Sequence, residues 1–392
     1  MQLQINKRHS ADSIAPEQFV TVRGTRFHYI WLRENCPSCR HTAPLQQLYD
    51  PKISDRPENP QPLSVELTEE QLIIEWDETP AHRSFFSLDW LLENAYDPQP
   101  PEKSKDYILW ERKQLELEPP QAYDVRELKD DSWMNQLFTR GFVVLKHIPP
   151  SALASWLSAI GPIYNIDYGT IFALNTETGK QKLKATISHP PEIAPEKVSE
   201  TVSAASSPQD GCALPAHNDL SYWGGHRLAQ FLYCVEHQAI GGESILVDGF
   251  RIAEDFRQDY PHYFQLLVET PVQFWLLDQN HQYLFCNTAP ILECDRLGNL
   301  TTVRFSKRNC RPQLPFAQLE DFYQAYNTFF RYLKNPAYQY QFCLEPQDCL
   351  LFQNFRILHG RTAFNPASGK RKLNAGYLDW NFFVGRKNFV QL

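Results

Sequence analysis

A histidine and an aspartate separated by one residue, His217 and Asp219, stand in the stretch PAHNDLSYW at residues 215–223. If this segment is extended, both side chains project to the same face, because side chains alternate along a strand. An imidazole nitrogen and a carboxylate oxygen could then reach one metal ion. Two histidines and one carboxylate form the facial triad of non-heme Fe(II) oxygenases, which leaves coordination positions open. Taken alone, however, a His-x-Asp pair is more often a surface turn or a pair in the core.

A second histidine and an arginine further along the chain could complete such a site. His359 follows a predicted strand in NFRILHGRTAF, and Arg371 lies downstream in the strand-like segment KRKLNAGYLDW. A guanidinium there could bind the far carboxylate of a 2-oxo dicarboxylic acid through paired hydrogen bonds. The other end of the keto acid would chelate the iron. The combination of these four residues predicts an iron site, although none of them does so alone.

The elements that must position these residues lie in the longer, β-rich part of the chain. The 392 residues include 29 prolines and 16 glycines, and this length suits one large domain plus a smaller one. We predict a small β-rich N-terminal domain over residues 1–96 and a linker rich in Pro, Lys and Glu over 97–120. A larger domain follows over 121–392. Its many short strands and few helices predict an antiparallel sandwich or barrel core.

Three segments of the larger domain have a distinct pattern. The β-like runs 229–236 and 244–247 flank a pair of glycines and predict a hairpin. Apolar residues recur at helical spacing over 316–334, which predicts an amphipathic helix that faces the core or an interface between subunits. Residues 186–212 carry Pro, Ser and Glu with little periodicity, and we expect a long mobile loop that acts as a lid.

The charge and the cysteines limit the partners and the compartment. The net charge is −8 and no long basic run is present, so we expect neither a nucleic-acid nor an anionic-membrane partner. The first residues lack the apolar segment of a secretory signal, and no window approaches the length of a membrane span. Nine cysteines without export features indicate free or metal-bound thiols in a reducing compartment. We therefore expect a cytoplasmic protein.

Five motifs, in order along the chain, resemble the γ-butyrobetaine and trimethyllysine hydroxylase family of Fe(II)/2-oxoglutarate dioxygenases, whose catalytic domain is of the TauD/TfdA type. They are WLRENCPSC (31–39), HNDLSYW (217–223), GGESILVDGF (241–250), LHGRTAF (358–364) and RKLNAGYLDW (371–380). The resemblance implies a mainly β fold with flanking helices. Its catalytic domain would be a double-stranded β-helix, or jelly roll, and its small N-terminal domain would be β-rich. The resemblance also implies a homodimer.

The same resemblance assigns roles around the iron. It implies that His217, Asp219 and His359 hold Fe(II) and that Arg371 binds the C5 carboxylate of 2-oxoglutarate. Ser244 falls where related dioxygenases often place a hydroxyl beside that carboxylate. On spacing alone, Ser244 would be an ordinary hairpin residue.

The family also has a structural zinc in its N-terminal domain. Cys36 and Cys39 have the spacing of zinc ligands, and His82 lies where the family supplies a histidine. The family pattern has a further cysteine in the first cluster, but this chain has a shorter loop with Ser38 between the two cysteines. His41 is a candidate for the fourth ligand. The alternative is a metal-free domain with two buried thiols.

On the substrate side the chain matches the family only in part. Family members enclose a trimethylammonium group in aromatic faces. Tyr168 and Tyr377 match two positions of that cage. Leu220 stands where butyrobetaine hydroxylases carry an aromatic residue, and Phe172 stands where a tryptophan is typical. Tyr222 could add aromatic surface, although aromatic residues at such a position more often pack in the core.

A basic pair, Lys307 and Arg308, stands where the family has uncharged polar residues. The pair could reach a carboxylate or phosphonate of the substrate, although exposed basic residues are usually solvated surface. We therefore expect a small zwitterionic or amino-acid-like substrate, which need not be butyrobetaine itself.

The predicted reaction is the hydroxylation of an unactivated C–H bond by O2 with 2-oxoglutarate as cosubstrate. Two alternatives remain open from the sequence. The same chemistry could desaturate or cyclise the substrate in a biosynthetic pathway, and product mass separates these outcomes. A non-catalytic relative could instead bind a metabolite as a sensor, in which case neither iron uptake nor succinate release would be found.

Overall fold

The computed structural model describes residues 18–40, 57–97, 107–166, 169–175, 211–225, 227–278 and 282–390. The chain divides into two compact units, residues 1–105 and residues 106–392.

The first unit contains two small antiparallel sheets and two short helices. The strands are β1 (Phe19–Val22), β2 (Thr25–His28), β3 (Pro62–Leu67), β4 (Gln71–Trp76) and β5 (His82–Ser87), and the helices are α1 (Tyr29–Glu34) and α2 (Leu88–Glu93). Strands β1 and β2 form one sheet, and β3, β4 and β5 form the other in that order. In β4, Leu72, Ile74 and Trp76 are buried and alternate with more exposed residues, so one face of this sheet covers the core of the unit.

The second unit holds the remaining strands and helices. Its strands are β6 (Ala122–Asp124), β7 (Phe142–Lys146), β8 (Phe172–Asn175), β9 (Leu214–His217), β10 (Leu228–His237), β11 (Ile240–Gly241), β12 (Ser244–Asp248), β13 (Val272–Asp278), β14 (Tyr283–Ala289), β15 (Leu292–Cys294), β16 (Leu300–Val303), β17 (Cys310–Arg311), β18 (Tyr340–Phe342), β19 (Cys349–Gln353), β20 (Ile357–Arg361), β21 (Phe364–Asn365) and β22 (Arg371–Asp379). Its helices are α3 (Arg112–Leu117), α4 (Trp133–Arg140), α5 (Leu153–Ile160), α6 (Gly249–Asp259), α7 (Pro261–Glu269), α8 (Phe316–Lys334) and α9 (Trp380–Val390). In the described part of the chain, no helix is both long enough and apolar enough to cross a membrane.

Two larger sheets form the centre of this unit. A six-stranded sheet has the order β6-β7-β19-β10-β22-β8, and a four-stranded sheet has the order β18-β12-β20-β9. Neighbouring strands are antiparallel except β6 and β7. Leu232 and Phe352 of the larger sheet share one buried cluster with Leu246 and Ile357 of the smaller sheet, so the two sheets pack face to face. The predicted mainly β class with flanking helices is confirmed, and the paired sheets are consistent with a jelly-roll core.

The predicted amphipathic helix is α8. Its apolar residues at helical spacing, among them Phe322, Tyr326 and Phe329, are buried in the largest hydrophobic cluster. The Tyr326 ring stacks on Phe305 with 4.5 Å between the ring centroids. The apolar face of α8 therefore packs against the core of the second unit.

The predicted hairpin of residues 229–236 and 244–247 is wrong. Strand β10 pairs with β19 and β22, whereas β12 pairs with β18 and β20, so the two runs lie in different sheets. Gly241 and Gly242, with φ angles of 84° and 83°, lie in the segment that carries the chain from one sheet to the other. A Cβ atom on Gly241 would lie 2.3 Å from the Ala363 carbonyl oxygen. Glycine is therefore required there by a left-handed backbone and close packing, rather than by a two-strand turn.

The predicted linker of residues 97–120 also needs correction. Residues 107–120 belong to the second unit, where Trp110 and Leu115 are fully buried. The Trp110 indole donates a hydrogen bond to the Arg140 carbonyl oxygen at 2.7 Å. The polar and proline-rich composition of this segment gave no indication that Trp110 and Leu115 are buried. The predicted lid, residues 186–212, lies outside the described residues except for positions 211 and 212.

Candidate active site

Two neighbouring strands of the four-stranded sheet bring the predicted iron ligands together. Strands β9 and β20 are antiparallel, and His217 lies directly opposite His359 in their register. Asp219 follows the end of β9, and its Oδ1 lies 3.2 Å from His217 Nε2. Its Oδ2 lies 3.6 Å from His359 Nε2. One ligand atom from each of the three side chains lies within 4.8 Å of the other two.

Each of the two histidines can offer one ring nitrogen to a metal. The Nδ1–H group of His217 donates to the Pro215 carbonyl oxygen at 2.9 Å, which leaves the lone pair on Nε2. His359 is buried, and burial lowers the pKa of its imidazole to about 4 despite the nearby charge of Asp219. The His359 ring is therefore neutral at neutral pH.

The Asp219 carboxyl is ionised in this arrangement. Burial would raise its pKa, but the two imidazoles and a hydrogen bond from Tyr377 outweigh this effect and hold the pKa below its usual range. Two imidazoles and one carboxylate that converge on a common point are the donor set that suits non-heme Fe(II). The residues present therefore fit an iron ion.

Two asparagines fix the turn that carries Asp219. The Asn354 side chain accepts a hydrogen bond from the Asp219 backbone N–H at 3.1 Å and donates one to the Asp219 carbonyl oxygen at 2.8 Å. The Asn218 side chain accepts from the Phe305 backbone N–H at 2.9 Å. Leu220 completes the turn with a positive φ of 55°. Asn354 carries no sequence signal for this role, because it lies far from Asp219 along the chain.

Two further side chains contact the carboxylate itself. The Gln230 amide donates to Asp219 Oδ2 at 2.8 Å, and the Tyr377 hydroxyl donates to the same oxygen at 2.9 Å. Gln230 was not predicted, since a single glutamine in an apolar strand carries no motif. Tyr377 was predicted as a substrate contact, and the structure places its hydroxyl on the carboxylate of the candidate metal site.

Arg371 begins β22 and lies buried, with 7% of its surface exposed. One of its terminal nitrogens donates to the Gly242 carbonyl oxygen at 3.3 Å, and its Nε is buried without a hydrogen-bond partner among the described residues. Burial, with a further contribution from the charge of Arg361, lowers the pKa of the guanidinium to about 10. It remains charged at neutral pH. A buried cation with an unsatisfied N–H group suits the carboxylate of a bound ligand.

Ser244 and Arg361 lie opposite each other on paired strands of the smaller sheet. Ser244 is the first residue of β12 and is buried. The Arg361 guanidinium lies 4.5 Å from the centroid of the Phe364 ring, and the Arg371 guanidinium lies 5.6 Å from the same centroid. Arg361 was not predicted. The role of Ser244 beside a cosubstrate carboxylate stays a prediction.

The positions predicted to contact substrate are partly brought together. Phe172 of β8 lies beside Tyr377 of β22, with 6.2 Å between the ring centroids. Tyr168 lies outside the described residues. Lys307 donates to Asn327 at 2.8 Å and lies over the Phe330 ring at 4.3 Å, so α8 holds this side chain.

A cavity of about 230 Å³ opens beside the turn that carries Asp219. Its lining includes Asp219, Leu220 and Trp223, but not Tyr222. Tyr222 is buried, and its ring packs against Phe285 with 5.9 Å between the centroids. Of the two predicted substrate contacts in this turn, Leu220 therefore faces the cavity and Tyr222 contributes to the core.

The first unit carries a second cluster of metal-binding side chains. His82 Nε2 lies 3.2 Å from Cys36 Sγ and 3.6 Å from Cys39 Sγ. The three ligand atoms lie within 4.8 Å of one another, and thiolate and imidazole are the donors that zinc prefers. The Ser84 hydroxyl also donates to Cys36 Sγ at 3.0 Å. His41, the candidate fourth ligand, lies outside the described residues.

Two histidines and one carboxylate that converge on one point are the donor set of the non-heme iron oxygenases. The family model described as "Taurine catabolism dioxygenase TauD, TfdA family" matches residues 109–377, and the chain belongs to this family. The predicted enzyme class is therefore confirmed: the protein is an oxidoreductase of the dioxygenase type.

Several proteins of known name are similar to this chain. The γ-butyrobetaine dioxygenase of Pseudomonas sp. (strain AK-1) is 29% identical over 391 residues, which cover 96% of this chain and 94% of that protein. The mitochondrial trimethyllysine dioxygenase of Bos taurus is 26% identical over 370 residues, which cover 90% of this chain and 80% of that protein. The crystal structure of the PvcB protein from Pseudomonas aeruginosa aligns with a TM-score of 0.44 and 16% identity, over 66% of this chain and 82% of that chain.

Proposed function

We propose that this protein hydroxylates an unactivated C–H bond of a small zwitterionic substrate, a betaine or an amino-acid-like molecule. The observation that carries the proposal is the convergence of His217, Asp219 and His359, whose ligand atoms lie within 4.8 Å of one another. The buried, incompletely hydrogen-bonded Arg371 in the facing sheet supports a carboxylate-bearing cosubstrate.

The three side chains of the triad would hold Fe(II) on one face. When bound, the iron and 2-oxoglutarate supply the chemistry that activates O2 for attack on a C–H bond. Arg371 would bind the C5 carboxylate of 2-oxoglutarate through its planar N–H fork, with Ser244 as a further contact. This role fixes the orientation of the cosubstrate, because the guanidinium is buried and its position is set by Gly242.

The protein would place the target C–H bond beside the iron and exclude water. Phe172 and Tyr377 present neighbouring aromatic rings, which can attract the cationic group of a substrate. Tyr168 and Leu220 are further candidate contacts, whereas Tyr222 packs in the core. The names of two relatives refer to γ-butyrobetaine and trimethyllysine, both of which carry a trimethylammonium group and a carboxylate.

A panel of betaines and amino acids tests this function. The full-length protein with Fe(II), 2-oxoglutarate and O2 is expected to form succinate faster with one class of zwitterion than without it. Hydroxylation adds one oxygen to the product mass, whereas desaturation removes two hydrogens. Asp219→Ala is the matched control and should abolish turnover. Substrate-dependent succinate formation that survives in this variant would contradict the assignment.

We further propose that Cys36, Cys39 and His82 hold a structural zinc in the first unit. The short distances from His82 Nε2 to both sulfur atoms support the binding of one metal ion by all three side chains.

We also propose a cytoplasmic homodimer. All nine cysteines are unbonded, which suits a reducing compartment. Light scattering that gives the mass of a single chain would overturn the dimer.

A further inference from the structure

Two buried donors from paired strands end on one oxygen of the candidate iron ligand. Gln230 of β10 and Tyr377 of β22 lie directly opposite each other in the six-stranded sheet. Their side chains are almost fully buried, and both donate to Asp219 Oδ2, at 2.8 Å and 2.9 Å. The other carboxylate oxygen, Oδ1, faces His217 Nε2 at 3.2 Å.

This geometry gives the two carboxylate oxygens of Asp219 different roles. A carboxylate oxygen has two lone-pair directions, and the two donors occupy those of Oδ2. Oδ1 keeps its lone pairs for a cation. A carboxylate without such donors could rotate about its Cβ–Cγ bond, because that torsion is soft.

Gln230 is an unusual residue for a buried position in an apolar strand. Its side-chain carbonyl oxygen is buried without a hydrogen-bond donor among the described residues. A buried acceptor without a partner costs free energy, and an apolar side chain in this strand would avoid that cost. The amide is therefore best explained by its NH2 group, which holds Asp219.

We propose that Gln230 and Tyr377 are positioning residues that aim Oδ1 of Asp219 at the iron. The inference rests on the proposed iron site. It gives the Tyr377 hydroxyl a role in metal binding in addition to the ring surface predicted to contact substrate. Partners of metal ligands act in this way generally, because they fix the orientation of the group that binds the metal.

Calorimetric titration of the metal-free, full-length protein with Mn(II) tests the proposal without any turnover. Mn(II) suits an imidazole and carboxylate site, whereas the thiolates of the first unit select softer ions. Gln230→Met keeps the side-chain length and removes the donor, and Tyr377→Phe removes only a hydroxyl. Each variant should bind Mn(II) with a dissociation constant about 10–100-fold above that of the unaltered protein.

The chain supplies matched controls for both variants. Gln353 is a buried glutamine of β19 whose amide donates to the Leu137 carbonyl oxygen. Tyr233 is a buried tyrosine of β10 whose hydroxyl donates to the Ile148 carbonyl oxygen. Gln353→Met and Tyr233→Phe remove comparable hydrogen bonds away from the triad, and should change thermal unfolding without changing Mn(II) affinity.

Unchanged Mn(II) affinity in Tyr377→Phe, or an equal loss in the control variants, would overturn the inference. Because Tyr377→Phe removes a single atom, the test stands even if Gln230→Met fails to fold. Failure of the proposed iron site has a different result. In that case the unaltered protein would not bind Mn(II), or Asp219→Ala would bind it as tightly as the unaltered protein.

Discussion

Burial lowers the pKa of His359 by more than the neighbouring Asp219 carboxylate raises it. Its pKa is lowered to about 4, whereas an unfolded chain gives a histidine about 6.5. Between these values the unfolded chain binds more protons than the folded one, so the stabilising contribution of neutral His359 is present above about pH 6.5 and is lost as the pH falls towards 4. Asp219, whose pKa is held below its usual range, loses its contribution in the same direction.

The metal-free protein should therefore lose stability on acidification. The free energy of unfolding of the unaltered protein minus that of His359→Asn should decrease as the pH is lowered from about 7.5 to about 5. The variant removes the titrating group but keeps a polar side chain. Urea unfolding of both proteins across this range measures the difference. A difference that stays constant or grows on acidification would contradict the burial argument.

Arg371 should contribute strongly to the binding of 2-oxoglutarate. Arg371→Ala removes two charge-assisted hydrogen bonds, each worth about 1.5–3 kcal/mol, so the dissociation constant for 2-oxoglutarate should rise by at least about 100-fold. Arg371→Lys should give an intermediate loss, because it keeps the charge without the planar fork. Binding is measured by calorimetry with Mn(II) bound, and metal affinity itself should change little.

The exposed Arg112 of α3 offers the matched control for this experiment. Arg112→Ala should leave cosubstrate affinity unaltered. The assigned role of Arg371 would be excluded if Arg371→Ala bound 2-oxoglutarate as tightly as the unaltered protein.

Among the strands and helices, the residues that could be predicted from the sequence are those that belong to local motifs. The triad was predictable because His217, Asp219 and His359 stand next to strand-like runs. Gln230 and Asn354 were not predictable, since their roles depend on strand pairing between distant segments. For the same reason β10 and β12 were wrongly placed in one hairpin. Local alternation identifies a strand, but it does not identify the sheet to which the strand belongs.

A buried ion pair joins several of these elements. Arg356, in the turn before β20, makes two hydrogen bonds with Asp248 at the end of β12, at 3.0 Å and 2.9 Å. Arg356 also donates to the Thr139 and Ile108 carbonyl oxygens at 2.9 Å and 2.7 Å. Both side chains are almost completely buried, so neither charge can be solvated when its partner is removed.

Removal of one partner should therefore be costly. Arg356→Met leaves the Asp248 carboxylate buried without a counterion and should lower the free energy of unfolding by about 3–5 kcal/mol. Arg112→Met breaks an exposed ion pair with Glu116 and should cost only about 0.3–0.5 kcal/mol. Urea unfolding measures both. The buried pair would lose its proposed importance if the two variants were equally stable.

At the scale of the whole molecule, each of the two units carries its own cluster of ligands. The second unit holds the triad, and the first holds Cys36, Cys39 and His82. The donor types differ: imidazole and carboxylate suit Fe(II), whereas thiolate and imidazole suit zinc. Composition and length predicted two domains, but the sequence did not show that residues 107–120 pack into the second one.

Metal analysis of the full-length protein tests this division. The unaltered protein loaded with both metals should contain iron and zinc in equal amounts. Cys36→Ser together with Cys39→Ser should lose the zinc and keep the iron, because a serine hydroxyl is a poor zinc ligand. His217→Ala should lose the iron and keep the zinc. A zinc content unaffected by the double cysteine variant would rule out the site in the first unit.

The central claim is that three side chains from separate parts of the chain bind one iron ion, with Arg371 holding the cosubstrate. Anomalous diffraction at the iron edge, from crystals grown without oxygen in the presence of Fe(II) and 2-oxoglutarate, tests it most directly. We expect one iron peak within bonding distance of His217 Nε2, His359 Nε2 and Asp219 Oδ1, and a 2-oxoglutarate carboxylate on the Arg371 guanidinium. An iron peak elsewhere, or a cosubstrate that does not contact Arg371, would contradict it.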